Sequence, residues 1–262
     1  MDLMLQGKKA LVLASSKGIG KGVAEALAQE GCTVLISSSD KNRLQAAKSE
    51  IEMKAKAPVH AYVIDLYSTD SIEKGIASIL KDHGGVDILV TNSPGPGITD
   101  AAKMDPELFK KALQANLLSA MTFCQKLIPG MTEKKFGRII NLASTTAKEP
   151  DNGMVLSNTM RAGLMAYCKT LSREIAQHGI TVNTILTGGV MTDRTIELRK
   201  VRSQKTGISY EELTAKASQN YPVGFIPNPD EFVPMITFLA SPLSKNVNGV
   251  SLPIDGGYMR GM

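Results

Sequence analysis

Two rhythms of apolar residues alternate along this chain. Short, nearly continuous apolar runs recur at Lys9–Ala14 (KALVLA), Thr33–Ser37 (TVLIS), His60–Ile64, Asp87–Thr91, Ile139–Ala143, Thr181–Leu186 and Val250–Ile254. Between them, longer stretches keep a helical period: KGVAEALAQEG from Lys21, then Asp40–Lys56, Ser71–Lys81, Pro106–Leu127, Val155–His178 and Pro229–Ala240. Strands without a polar face are strands buried on both sides, and strands alternating with helices form parallel sheets through βαβ crossovers. The pattern therefore predicts an α/β fold, a doubly wound parallel sheet with helices on both faces and right-handed connections. The stretch from Phe136 to Thr192 is the clearest such unit, with strands at Ile139–Ala143 and Thr181–Leu186 around one long helix. Ser144 follows the first of these strands, at the edge where open parallel sheets bind ligands.

The punctuation adds chemistry. The first strand runs into SSKGIG and then a helix, so Ser16, Lys17, Gly18, Ile19 and Gly20 form a turn through which backbone can approach a pyrophosphate at a helix N-terminus. A purely structural glycine turn is the plainer alternative. The second strand ends in SSSDKNRL with no acidic residue at its tip; Ser38 and Ser39 stand there, and Asp40 suits a helix cap. An acid at that tip would grip the ribose hydroxyls of NAD and repel a 2′-phosphate.

Together these residues resemble the short-chain dehydrogenase/reductase family, closest to the bacterial β-ketoacyl-ACP reductases, from about Lys8 to Gly257. The resemblance implies a single Rossmann domain over 1–262 with strand order 3-2-1-4-5-6-7 and a substrate lid at about 190–225. Gly18 and Gly20 match the last two glycines of the family's Thr-Gly-x-x-x-Gly-x-Gly, while Leu13 and Ala14 replace its opening Thr-Gly. Lys17 lies where NADP-dependent relatives carry a basic residue, and with Ser38 and Ser39 it favours NADP(H) over NAD(H). Asp65 matches the acid beside the adenine, followed by Leu66; Asn92 keeps the second Asn of Asn-Asn-Ala-Gly. Ser68 reads as a helix cap. Asn116 matches the helix asparagine that holds a water in the proton relay, with a plain polar helix residue as the rival reading. Gly188 and Val190 follow the sixth strand, and Thr192 matches the threonine at the nicotinamide carboxamide. The resemblance also implies a homotetramer or dimer built on the helices Pro106–Leu127 and Val155–His178.

One motif departs. Ser144 matches the catalytic serine, but the family's Tyr-x-x-x-Lys reads SNTMR here, with Ser157 and Arg161 at its ends. An aliphatic hydroxyl is far less acidic than a phenol of pKa ~10, and a guanidinium stays charged at neutral pH. Three readings follow for a catalytic set of Ser144, Asn116, Ser157 and Arg161. The first is an atypical reductase of a 3-oxoacyl-type or other ketone, with a weaker proton source such as water, Lys148 or a lid tyrosine, Tyr210 or Tyr221. The second is a nucleotide-binding pseudoenzyme. The third is non-redox chemistry on an anionic substrate held by Arg161, whose planar fork could otherwise hold the nicotinamide ribose hydroxyls or a substrate carboxylate or phosphate.

Composition changes little in this picture. The 262 residues carry a net charge of +5, with the positive charges scattered and aromatics few, which speaks against a nucleic-acid binder. The densest basic cluster, LRKVR near Leu198, reads as a solvated helix face. Cys32, Cys124 and Cys168 sit in apolar contexts without metal-ligand spacing and read as reduced, buried thiols. No metal site, membrane span or signal peptide is expected, so the partner is a small molecule and the location cytoplasmic.

Overall fold

A computed structural model describes residues 1–261, apart from the side chains of Arg194, Leu198 and Lys205. The basic cluster around Leu198 thus lies partly outside the described residues. Seven parallel strands pair in the order β3-β2-β1-β4-β5-β6-β7. They are β1 (Lys9–Val12), β2 (Thr33–Ser38), β3 (Val59–Val63), β4 (Ile88–Thr91), β5 (Gly137–Ser144), β6 (Ile180–Thr187) and β7 (Ser251–Ile254). The expected order and class hold. Strands alternate their side chains between two cores, as period two requires. Val12, Ile36 and Ile140 pack with α1 (Gly18–Gln29) and α2 (Lys41–Glu52), whereas Leu11, Leu35 and Ile139 pack with α3 (Thr69–His83) and the helices that follow.

Several helix boundaries differ from the sequence reading, each for a local reason. Asp40 is the cap of α2, accepting from the Arg43 N–H at 2.9 Å, and Ser68 caps α3 through the Ser71 N–H at 3.2 Å. The expected helix Pro106–Leu127 is α4 (Pro106–Leu113), a π turn over Gln114–Leu118, and α5 (Ser119–Glu133). After α6 (Val155–Ile175), the region expected as a lid makes α7 (Asp193–Thr206) and α8 (Tyr210–Gln219), divided where Gly207 takes φ +71°. Pro229–Ala240 is two pieces, α9 (Pro229–Phe232) and α10 (Pro234–Ala240), because Pro234 has no N–H to carry the ladder across.

At the amino ends of the strands, His60 and His83 meet edge to face at 4.6 Å, and the Tyr62 hydroxyl lies 2.8 Å from His83 Nε2. Burial, His60 and Lys9 together lower the His83 pKa from its ordinary 6.5, against a smaller opposing pull from Asp82. A depressed folded pKa means that the unfolded chain binds the proton more readily. Stability is therefore full above about pH 6.5 and falls as the pH drops through that value. Urea midpoints at pH 7.5 and pH 5 measure the fall, and His83→Gln makes it shallower.

Candidate active site

The site is assembled at the carboxyl ends of the strands. β1 stops at Val12, two residues earlier than its apolar run suggested, because the chain turns sharply at Ala14. Ala14 sits at φ +47°, a left-handed conformation that costs a residue with a Cβ about 1–2 kcal/mol. Its N–H donates to Ser37 Oγ at 3.2 Å, and its carbonyl accepts from Asn92 Nδ2 at 3.1 Å. Ser15 closes the turn, donating to the Val12 carbonyl at 2.7 Å and accepting from the Ser37 N–H at 3.1 Å. Ala14→Gly removes the strain but returns about 0.5–1 kcal/mol of freedom to the unfolded chain. The variant is thus more stable by about 0.5–1 kcal/mol, read as a higher urea midpoint.

Gly20 fits here because nothing larger can. A Cβ on it would lie 2.7 Å from both the Ala14 carbonyl oxygen and Asn92 Nδ2. Gly18 takes φ +58° and faces Thr192, whose methyl lies 3.4 Å from where a Cβ would be. The turn and the loop after β6 are therefore in contact. α1 begins at Gly18 with no side chain capping its first turn, so its N–H groups point to the cleft.

That cleft encloses about 440 Å³. Ser16, Lys17, Gly18 and Ile19 form one wall, with Ser38 and Ser39 at the tip of β2 beside them. Asp65 and Leu66 after β3, Asn92 after β4 and Thr192 after β6 complete it. Ser16 donates to Ser38 Oγ at 3.0 Å, and Asp65 turns its carboxylate to the Tyr67 N–H at 3.0 Å. Arg43, from the first turn of α2, also reaches the cleft, a residue the sequence reading missed. Its position one helical turn past the β2 tip was the available signal. The Arg43 guanidinium pairs with Asp40 at 2.7 Å, and the Arg43 backbone N–H holds the Asp40 carboxyl below its ordinary pKa.

A wider groove of about 760 Å³ runs along the other side of α1, lined by Lys21, Glu25 and Lys54 with Pro229 and Val233. Of the candidate residues it touches only Gly18 and Thr192. The smaller cleft lies where the strand order reverses between β1 and β4, and there the glycine cradle opens.

The second half of the site stands on β5, β6 and α6. Ser144 is the last residue of β5, in register with Thr187 of β6, and Thr187 Oγ1 donates to the Ala143 carbonyl at 2.9 Å. Ser144 Oγ accepts from the Thr146 N–H at 3.2 Å and from Thr146 Oγ1 at 3.1 Å. Its own proton is thus left without an acceptor among the described residues. Gly188 passes so close to β7 that a Cβ would lie 2.8 Å from Asp255 Cα. Val190 is buried. The Gly189 N–H donates to the Tyr221 hydroxyl at 2.8 Å, and the Tyr221 ring stacks on Tyr258 at 5.1 Å. Tyr210, the other candidate tyrosine, begins α8, and Lys148 is exposed at the turn after β5.

Asn116 falls within the π turn and is buried, accepting from Ser93 Oγ at 2.9 Å and donating to the Ala112 carbonyl at 3.2 Å. Through Ser93 it touches the loop that walls the cleft. Ser157 and Arg161 are both buried one turn apart on α6, and Arg161 donates to the Leu142 carbonyl of β5 at 2.7 Å. Burial lowers the Arg161 pKa to about 10, which still leaves it charged at neutral pH. Cys32, Cys124 and Cys168 are buried and unpaired, and among the described residues no helix is long and apolar enough to cross a membrane.

A doubly wound sheet with a glycine cradle at its reversal point and a serine at the end of the neighbouring strand defines a dinucleotide-binding oxidoreductase. The family model for enoyl-(acyl carrier protein) reductase matches residues 13–259. The 3-oxoacyl-[acyl-carrier-protein] reductase FabG of Aquifex aeolicus is 32% identical over 260 residues, 98% of this chain and 99% of that one. The D-beta-hydroxybutyrate dehydrogenase of Cupriavidus necator is 33% identical over 264 residues, covering 98% and 99%. Among solved structures, L-sorbose reductase from Gluconobacter frateurii, complexed with NADPH and L-sorbose, superposes with a TM-score of 0.97 at 26% identity over 100% of both chains. The chain belongs to the short-chain dehydrogenase/reductase family of NAD(P)-dependent oxidoreductases.

Proposed function

We propose that this chain reduces a ketone carbonyl to an alcohol with NADP(H), and does so without the family's phenolic acid. The observation that carries the cofactor reading is the tip of β2. The acid lining the cleft there, Asp40, has its carboxylate engaged by Arg43 and the α2 N-terminus, and Lys17, Ser38, Ser39 and Arg43 stand beside it. Cations and hydroxyls suit a 2′-phosphate, which an acid would repel. Gly18 and Gly20 would admit the pyrophosphate to the α1 N-terminus, and Asp65 with Leu66 would flank the adenine. Asn92 and Arg161 would border the riboses, and Gly188, Val190 and Thr192 the nicotinamide. When bound, the reduced nicotinamide supplies a hydride.

The residues of the chain then act on the substrate oxygen. Ser144, already accepting two hydrogen bonds, keeps its own proton without an acceptor among the described residues and can donate it to a carbonyl oxygen. Ser157 offers a second hydroxyl, and the Arg161 charge favours negative charge developing on that oxygen. Neither serine is acidic enough to complete the transfer, so the proton comes from water, Lys148 or a lid tyrosine. General acid catalysis contributes about 10²–10⁴-fold, and turnover is slower by part of that factor. The same substitutions favour a second reading, a nucleotide-binding pseudoenzyme acting as a cofactor sensor or partner subunit.

The remaining proposals are coarser. One domain carries residues 190–225 as a substrate lid; the chain assembles as a homotetramer or dimer, works in the cytoplasm, and takes a small molecule rather than nucleic acid or membrane. The test of the cofactor and the activity is direct. NADPH quenches or shifts melting about tenfold more tightly than NADH, and Lys17→Ala with Arg43→Ala erases the difference. Mixing the NADPH complex with a panel of ketones in single turnover gives a slow loss of nicotinamide absorbance. Binding without any absorbance change across the panel favours the pseudoenzyme instead.

A further inference from the structure

Segments far apart in sequence meet beside the loop that follows β6. They are that loop, residues 188–192, the chain leaving α8, residues 221–227, and the tail after β7. The Gly188 N–H donates to the Ile254 carbonyl at 3.1 Å, the Met191 N–H to the Pro227 carbonyl at 2.8 Å, and the Val223 N–H to the Gly256 carbonyl at 3.2 Å. The tail is folded too, because Asp255 accepts from the Gly257 N–H at 3.0 Å and from the Met259 N–H at 2.8 Å.

One contact of this junction is made by a side chain. The Gly189 N–H donates to the Tyr221 hydroxyl, and the Tyr221 ring stacks on Tyr258 of the tail. A Cβ at position 189 would lie 2.5 Å from the Tyr221 oxygen, so only glycine leaves room for the phenol. Gly189 does not adopt a positive φ, so space and not backbone angle is the reason for a glycine there. Tyr221 in turn is fixed to α8, since its N–H donates to the Ser218 carbonyl at 3.0 Å. Burial raises its pKa against a smaller opposing pull from the Gly189 N–H, so the oxygen accepts as a neutral phenol. Gly189 and Met191 are thus both held from residues 221–227, and the Val190 N–H between them has no partner among the described residues.

We infer that Tyr221 is a positioning residue that couples the helical lid to the part of the site that takes the nicotinamide. This rests on the reductase and lid readings above. The hydrogen bond sets the loop that carries Val190 and Thr192, and the same bond holds down the end of α8. Elements joined in this way bias one another equally in both directions. Ordering the loop around a nicotinamide therefore steadies α7 and α8, and freeing the lid weakens the nicotinamide end alone. The adenosine end rests on the tips of β2 and β3, which the junction does not touch.

The test uses two variants, one on each side of the bond. Tyr221→Phe keeps the ring and its stacking but loses the acceptor, and Gly189→Ala pushes the phenol away. Trypsin cuts the lid after the exposed Lys200, Arg202 and Lys216, and cuts elsewhere report global loosening. Rates are compared without ligand, with NADPH, and with adenosine 2′,5′-bisphosphate, which carries no nicotinamide. In the wild type NADPH slows lid cleavage about tenfold and the bisphosphate does not. Both variants are cut in the lid about 2–10-fold faster without ligand, the worth of one hydrogen bond, and lose the NADPH protection. Their NADPH affinity falls by a similar factor while their affinity for the bisphosphate stays at the wild-type value. Lid cleavage that is unchanged in both variants overturns the proposal. So does an equal loss of affinity for both ligands, which would make the role merely structural. A Tyr221→Phe protein that keeps full NADPH protection but loses single-turnover reduction overturns it as well, since the phenol would then be the proton donor. If Gly189→Ala does not fold, Tyr221→Phe decides. If the wild type binds neither ligand, the reductase reading fails on its own. In that protein, ligand-free lid cleavage that rises in Tyr221→Phe supports the latch, and cleavage that does not rise refutes it.

Discussion

Ser157→Tyr combined with Arg161→Lys raises the turnover of neutral ketones by about 10²–10⁴-fold. Both positions lie on one face of α6, buried, where the family keeps its phenol and ammonium. A phenol starts at pKa ~10, and a neighbouring ammonium lowers it toward neutrality, so a proton becomes available in the transition state. The scaffold needs no other change, because Ser144 already ends β5 with its hydroxyl proton free of an acceptor among the described residues. The rise should appear in kcat with little change in KM, since the new group acts in the transition state and not on the ground state. Tyr alone gives a smaller gain: beside the Arg161 cation it finds a positive charge but not the geometry of an ammonium. A double variant that folds, binds NADPH and still turns over no faster would mean that α6 no longer faces the reacting carbonyl.

Gly20→Val abolishes dinucleotide binding. Even an alanine Cβ would sit 2.7 Å from a backbone oxygen and 2.7 Å from the Asn92 amide, both fixed by their own hydrogen bond at 3.1 Å. Neither is the free end of a flexible chain, so the turn itself must move. Valine adds two methyls to the same place. The cost in stability is about 1–3 kcal/mol, as for other overpacked sites. The loss of binding is larger than that strain suggests, because the displaced N–H groups are those on which the pyrophosphate depends. Equilibrium urea melts and NADPH fluorescence measure the two effects separately; a variant that melts about 1–3 kcal/mol lower yet binds NADPH normally would remove the glycine cradle from the site.

Much of the site could be read along the chain, and the unread parts share a cause. The serines at the tip of β2, the glycines of the first turn and Ser144 at the end of β5 follow from where apolar runs stop, a property of consecutive residues. The π turn around Asn116 did not show, because an apolar period of roughly 3.6 passes through Gln114–Leu118 without a break. Arg43 went unread. It reaches the cleft only because α2 starts immediately after the β2 tip and turns its first residues inward. Ala14 looked like a small replacement for glycine, and its φ of +47° depends on the Ser37 and Asn92 side chains that hold it on either side.

By itself the order of residues determined the α/β class, the glycine turn and the serine and arginine at the ends of SNTMR, since each is written in local periodicity or in the identity of one side chain; the strand order came through the family resemblance. Only the folded chain decided which charges are completed. Arg138 and Arg161 are the same residue type, each set in an apolar stretch, yet one ends among carbonyls of β5, the turn at Gly179 and the chain at Ser241. The other donates to a single carbonyl among the described residues. Those partners lie up to 103 positions away along the chain. The cost of burying a charge depends on such distant neighbours, and no local pattern records them.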